Sequence, residues 1–164
     1  MTQRTFATWV EPLAAANRES RSELVRVARQ VPDAVWPQPS PLPGWSHKDL
    51  LAHLAGETEK SFLQILRAVV DRKPVDPALL GEADEKNARD VEARRSRSVE
   101  ELIVEINADG EELMELLSRL TEEDENLRQE GIPMTLGEGL SNEPGGHHRE
   151  HTVPLRAAVD SIML

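Results

Sequence analysis

Three of the five histidines in this 164-residue chain fall within five positions, in the stretch Gly145-Gly146-His147-His148-Arg149-Glu150-His151. Imidazole is the commonest metal ligand and the side chain that titrates nearest to neutral pH. If the stretch is helical, His147 and His151 are spaced i, i+4, only about 40° apart around the axis, one above the other. Two imidazoles so placed can hold one divalent ion. His148 with His151, at i, i+3, is a second pairing that the spacing leaves open. Near a helix N-terminus the dipole disfavours imidazolium, so these rings are expected to stay neutral and available as ligands. The chain has no cysteine, which excludes disulfides, thiolate ligands and any thiol nucleophile of its own. Three neutral imidazoles suit Zn²⁺, Ni²⁺ or Fe²⁺ with water in the remaining position. The rest of the chain has to bring the further ligand.

Composition says what kind of scaffold does so. Apolar residues make up 38% of the chain, charged residues 30% and aromatics 3%. A mixture rich in Leu, Ala, Glu and Arg favours helices over sheet. A net charge of −11 gives a surface that repels phosphate backbones, so no nucleic-acid partner is expected. No apolar run approaches the ~20 residues that span a bilayer, and the N-terminus lacks a signal-peptide core. The expectation is a single domain over 1–164, cytoplasmic, with no membrane partner.

Taken in order, Leu13, Leu24, Val27, Ala28 and Val31 share one face of a first helix that Pro32 stops. Five prolines between 32 and 43 read as a rigid extended spacer. Ser46 with Asp49 makes a capping box for a second helix to about Val70, whose stripe takes in Leu50, Leu51, Leu54, Phe62, Ile65, Leu66 and Val69. His53 and Glu57 lie one turn apart on a neighbouring face, which favours an exposed histidine over a packed one. Residues 71–81 read as loop and 82–96 as a polar crossing helix, with Arg89, Arg94, Arg95 and Arg97 on a solvated face. Ser98 and Glu101 cap a third amphipathic helix to about Leu120, with Asn107 on the edge of its stripe and Gly110 within it. Residues 121–141 read as loop, with a short turn open at Met134-Thr135-Leu136. The last helix starts near Asn142 to Pro144 and aligns His147 and His151 with Leu155, Ala158 and Ile162; Pro154 is expected to bend it.

Four amphipathic stripes make an all-α four-helix bundle, with a long crossover between the second and third helices that carries a short extra helix. The broad stripe on the second helix, with Leu51, Phe62, Leu63 and Leu66, exceeds what one bundle interior needs, and a homodimer is expected from it.

The blocks Leu42-Pro43-Gly44-Trp45-Ser46…Asp49-Leu50-Leu51-Ala52-His53-Leu54-Ala55 and His147-His148-Arg149-Glu150-His151-Thr152-Val153-Pro154-Leu155 resemble the DinB-like superfamily. That superfamily includes the N-terminal domain of mycothiol-dependent maleylpyruvate isomerase and the bacillithiol transferases. The order and separation of the blocks fit, as do Asn87 and Ser98-Val99-Glu100-Glu101-Leu102 between them, over roughly residues 13–162. The resemblance implies a four-helix bundle whose divalent metal is held by one histidine of the second helix and an H-x-x-x-H pair of the last. Carried over residue by residue, the ligands are His53, His147 and His151, with zinc the leading candidate. His148 stands where the family often has an aromatic or other non-ligand residue. An aromatic common after the helix-two histidine is replaced here by Gly56-Glu57. His47 is expected to be uninvolved.

The function so implied is a metal-dependent S-transferase or isomerase, in which a low-molecular-weight thiol on the metal attacks a small electrophilic substrate. A metal-bound thiol loses its proton, so the ion supplies the nucleophile that the chain lacks. Glu57 is the candidate to orient a ligand or take up a proton. Two other readings use the same site: a non-catalytic metal-binding or stress-associated protein, and a hydrolase using metal-activated water.

Overall fold

The computed structural model describes residues 4–80, 83–142 and 146–161; within that range the side chains of residues 57–59, 83 and 142 fall outside the description. Among the described residues seven α-helices follow one another: α1 (Glu11–Ala28), α2 (His47–Leu54), α3 (Glu57–Val70), α4 (Ala83–Arg94), α5 (Val99–Ser118), α6 (Leu136–Asn142) and α7 (Gly146–Asp160). Two 3₁₀ turns, Pro77–Leu80 and Glu122–Asn126, lie in the connections. There is no strand among the described residues, only two isolated bridges. The bundle consists of α1, the α2–α3 pair, α5 and α7, and α4 is the short extra helix of the crossover. The start of the last helix near Pro144 and its inward Ile162 lie outside the described residues.

Both expected capping boxes form. Ser46 Oγ accepts from the Asp49 N–H at 3.1 Å while the Asp49 carboxylate accepts from the Ser46 N–H at 2.8 Å. Ser98 and Glu101 repeat this at 3.2 and 2.6 Å. Each box satisfies two donors that the first turn leaves without helical partners. The first helix stops at Ala28, short of Val31, because Gln30 and Val31 turn back onto Val27 and Ala28 in i→i−3 bonds before Pro32.

The expected continuous second helix is broken. It ends at Leu54, and Gly56, extended at φ −88° and ψ −175°, caps a separate α3. The apolar spacing carries straight through the break, which is why periodicity alone reads one helix. The break also changes where the broad stripe goes. Leu51 packs with Leu24, Val27, Leu102, Ile106 and Leu155 in one cluster, while Leu63 and Leu66 pack with Ala14, Leu113, Leu117 and Leu140 in another. All three are buried within the single chain and Phe62 is partly buried, while Phe62 and Leu66 also line an open apolar groove with Ile65 and Val69.

The proline segment is more than a spacer. Val35 and Trp36 are buried in the first cluster, each contributing about 1.5–3 kcal/mol by removing apolar surface from water. His47, buried at the start of α2, clamps this segment: its backbone N–H donates to the Gln38 carbonyl at 3.0 Å and its Nδ1 lies 3.0 Å from the same oxygen.

The solvated face expected for the arginines of the crossover holds for Arg89, Arg95 and Arg97 but not for Arg94, which is buried. Arg94 Nη2 meets Glu105 of α5 at 2.9 Å, and the same carboxylate pairs with Lys60 of α3 and with Arg97. A buried guanidinium needs such a partner, because an ion taken out of water without one is very costly. Burial pushes the Glu105 carboxyl up, but hydrogen bonds and charge from Arg94 and Lys60 outweigh it and hold it below the ordinary glutamate range. Arg21 of α1 is buried as well; its Nη2 meets Glu111 at 3.0 Å, and its guanidinium fills the space that a side chain at Gly110 would need.

Two outcomes follow from these contacts. Glu105→Gln leaves Arg94 buried without its counter-ion and is expected to lower stability at pH 7 by about 3 kcal/mol in urea unfolding. Because the folded-state carboxyl titrates below its unfolded value, its contribution is present near neutrality and lost as pH falls through the lowered pKa. The gap between wild type and variant therefore closes in acid, below the ordinary value of 4.5. His47→Ala removes one buried hydrogen bond and is expected to cost about 1 kcal/mol, with the helical circular-dichroism signal unchanged.

Candidate functional site

Polar residues lie between the two apolar clusters on α1 and ahead of the first cluster's Leu155 on α7. On α1 these are Asn17, Ser20 and Arg21, and on α7 His148, His151 and Thr152, all buried. The histidine cluster belongs to this band. His53 lies in the last turn of α2 and is only 4% exposed, so the exposed histidine favoured by its helical face is corrected. A single helix face says nothing of neighbouring elements, and here the rings of Trp45, His147 and His151 pack against that of His53. His147 and His151 lie on the first two turns of α7, half-buried and buried respectively.

The three rings converge. His147 Nε2 lies 3.0 Å from Nε2 of His53 and 3.0 Å from Nε2 of His151. One ligand atom from each of the three falls within 4.8 Å of the others. The rings pack edge-to-face, with centroids 4.8 Å apart for His53 and His147, 5.2 Å for His53 and His151, and 4.7 Å for His147 and His151. A neutral imidazole nitrogen carries either one hydrogen or one lone pair in the ring plane. Nε2 of His147 therefore cannot make a full hydrogen bond to both neighbours at once, whichever tautomer it adopts. Three lone pairs directed at a common cation satisfy all three nitrogens together. Ligands at ~2.0–2.1 Å around a tetrahedral ion stand about 3.3 Å apart, close to the separations seen here.

Trp45 closes one side. Its ring lies 5.0 Å from that of His53, tilted by 48°. The preceding turn delivers it: the Trp45 N–H donates to the Leu42 carbonyl at 3.2 Å across Pro43 and Gly44, and Gly44 has φ +82°. Proline at the first and glycine at the second central position are what a type II turn demands. The sequence motif contains Trp45, but spacing gave it no part in the site; the Pro-Gly turn ahead of a capped histidine helix was the signal for it.

The other expected residues separate. His148 points away from the three-ring cluster and lines a small interior cavity with Leu54, Phe62, Leu63, Ile106, Asp109, Gly110 and Leu113. Its carbonyl accepts the Thr152 hydroxyl at 2.6 Å. His47 stays with the proline segment. Glu57 opens α3 beyond the break, so it does not stand one helical turn above His53, and its side chain lies outside the described residues. No helix among the described residues is long and apolar enough to cross a membrane.

The fold and the site can be set beside known proteins. Comparison with curated protein sequences gives no match. A solved structure described as the crystal structure of the mycothiol-dependent maleylpyruvate isomerase superposes with a TM-score of 0.72 at 16% identity, covering 89% of this chain and 60% of that one. The present chain thus spans about three-fifths of that protein's length, and the likeness is one of fold. The family model described as the mycothiol maleylpyruvate isomerase N-terminal domain matches residues 17–152, a stretch that holds Trp45 and all three clustered histidines. The chain belongs to the mycothiol maleylpyruvate isomerase N-terminal domain family, within the DinB-like helical bundles.

Proposed function

We propose that His53, His147 and His151 hold a divalent metal, zinc in the first place, and that the protein is a thiol-dependent S-transferase or isomerase acting on a small electrophile. The observation that carries the metal reading is the double contact on His147 Nε2, 3.0 Å from each of two other imidazoles. Family membership supports the thiol, since the matched family and the superposed structure are both described by mycothiol. When bound, the ion would acidify a low-molecular-weight thiol and so provide a nucleophile that a chain without cysteine cannot provide itself.

The chain's own residues supply the setting. Trp45 packs its ring against that of the buried His53, with centroids 5.0 Å apart, and so limits the rotation of the imidazole. Burial of His53 and His151 removes competing water and strengthens electrostatic interactions at the cluster.

Metal analysis of untagged protein should find close to one equivalent of divalent ion. Zinc added to metal-free protein at about 100 times its dissociation constant should raise Tm by roughly 5–10 °C, and a chelator should reverse this. His151→Ala should lose both the bound metal and the shift while remaining helical; His148→Ala should keep both. Loss in His148→Ala with retention in His147→Ala would place the ion on the other helical pair. The metal-loaded protein should then consume mycothiol or bacillithiol in the presence of a small electrophile, and His151→Ala should not. A metal-loaded wild type with no affinity for either thiol would leave a metal-binding protein, or a hydrolase if ester or amide substrates turn over.

A further inference from the structure

We propose that Gly56 is a positioning residue for His53: the side chain it lacks is what allows α4 to press on the α2–α3 turn and so fixes the His53 ring against His147. As a statement about metal affinity this rests on the reading above; as a statement about ring placement it does not.

The backbone of Gly56 is extended and open to any residue, so the constraint is space. A Cβ at this position would lie 2.9 Å from Asp90 Cβ, 3.0 Å from the His53 carbonyl oxygen and 3.3 Å from that of Ala52. None of these is the far end of a flexible side chain; Asp90 Cβ moves only with the α4 backbone, and the other two atoms are backbone. Something must therefore shift, and α4 is not free to give way. Arg94 ties it to Glu105 of α5 at 2.9 Å. The carbonyl of Arg95, just past its end, accepts from Lys48 Nζ of α2 at 2.9 Å. The turn is packed as well, with Leu54 and Ala55 almost fully buried, but the contact with the His53 carbonyl lies within it, where the Gly56 N–H also donates to the same oxygen at 3.0 Å. A displacement at residue 56 is thus passed to His53. Ligand distances in metal sites hold to within about 0.2 Å, so a small displacement there is enough to matter.

The test uses four proteins: wild type, Gly56→Ala, Asp90→Gly and the double variant, in which the Asp90 Cβ is gone. Two quantities are read, zinc affinity by competition with a chromophoric chelator and ring-to-ring NOEs between His53 and His147 in the metal-free protein. Gly56→Ala is expected to stay helical, to lose the NOEs and to bind zinc about ten- to hundredfold more weakly, the range usual when a ligand loses its outer support. Asp90→Gly alone should match wild type within about threefold, and the double variant should recover part of the loss, because the contact with the His53 carbonyl remains. Wild-type affinity and NOEs in Gly56→Ala would overturn the proposal. So would an Asp90→Gly loss equal to that of Gly56→Ala, since the Asp90 carboxylate would then be the support. Should Gly56→Ala fail to fold, the double variant decides. Recovery of the fold and of part of the NOEs and zinc affinity upholds the proposal, while failure of both variants to fold makes Gly56 a folding residue and ends it. A wild type that binds no zinc sinks the metal reading alone, because the NOEs still decide the role of Gly56.

Discussion

A neutral imidazole nitrogen has a single in-plane direction in which to give or accept a hydrogen, and Nε2 of His147 faces two other rings at 3.0 Å. Much of the bundle is arranged so that this crowding can exist. Three polar rings cannot sit in the middle of an aliphatic core without cost, and here they fall where the two apolar clusters meet. Leu51, Leu54, Ile106 and Leu155 pack on one side of that level, Leu63, Leu66, Leu113 and Leu140 on the other. The rings stand steeply to one another, so each limits the rotation of the next by contact.

The divided second helix follows from the same requirement. An unbroken helix would put Glu57 directly above His53 and leave that face to solvent. Ending α2 at Leu54 brings α4 against the turn at Gly56 and sends α2 and α3 into different clusters. The ion pairs then acquire a purpose beyond neutralising charge. Glu105 gathers Lys60 from α3, Arg94 from α4 and Arg97 from the turn before α5. One carboxylate so fastens the crossover helix to both halves of the bundle beside it.

What could be read from the sequence was what local chemistry decides. Ser46 with Asp49 and Ser98 with Glu101 announce their helix starts because capping is settled within four residues. The polar crossing helix and the four stripes are legible for the same reason, and from them the bundle. The motif that set His53 beside His147 and His151 works at longer range, because it reports a fold already known in relatives. What stayed hidden depends on contacts between distant elements. The break at Gly56 leaves the apolar spacing intact, so periodicity cannot see it; the burial of Arg94 depends on a carboxylate 11 residues away on another helix. The broad apolar stripe on the second helix is shared between two clusters and an open groove, a division that depends on the break. Val35 and Trp36, inside a run of prolines, were read as spacer because proline says where a chain cannot be helical and nothing about which way it packs.

The paired histidines at 147 and 148 show how one helical turn can serve two compartments. Successive residues on an α-helix differ by about 100° in direction, so if one ring meets His53 and His151, the next must face elsewhere. Here it faces the interior cavity with Asp109 and Gly110 on α5. The cavity's remaining walls include Leu54, the residue after His53, and Phe62 and Leu63 of α3. The cavity and the cluster are thus built from adjacent residues on two of the same elements, and a movement of α2 against α7 changes both. Pro154 adds to this coupling. Having no N–H, it cannot bond the carbonyl of Glu150, and α7 continues through it to Asp160 with one fewer rung directly beyond His151. The helix is consequently weakest next to the turns that carry the rings, and the Thr152 hydroxyl on the His148 carbonyl lies on the near side of that weak point. Rigidity at the cluster therefore has to come from packing between helices, from Trp45 and His53 on one side and the apolar contacts of Leu155 on the other, more than from the hydrogen-bond ladder of α7 itself.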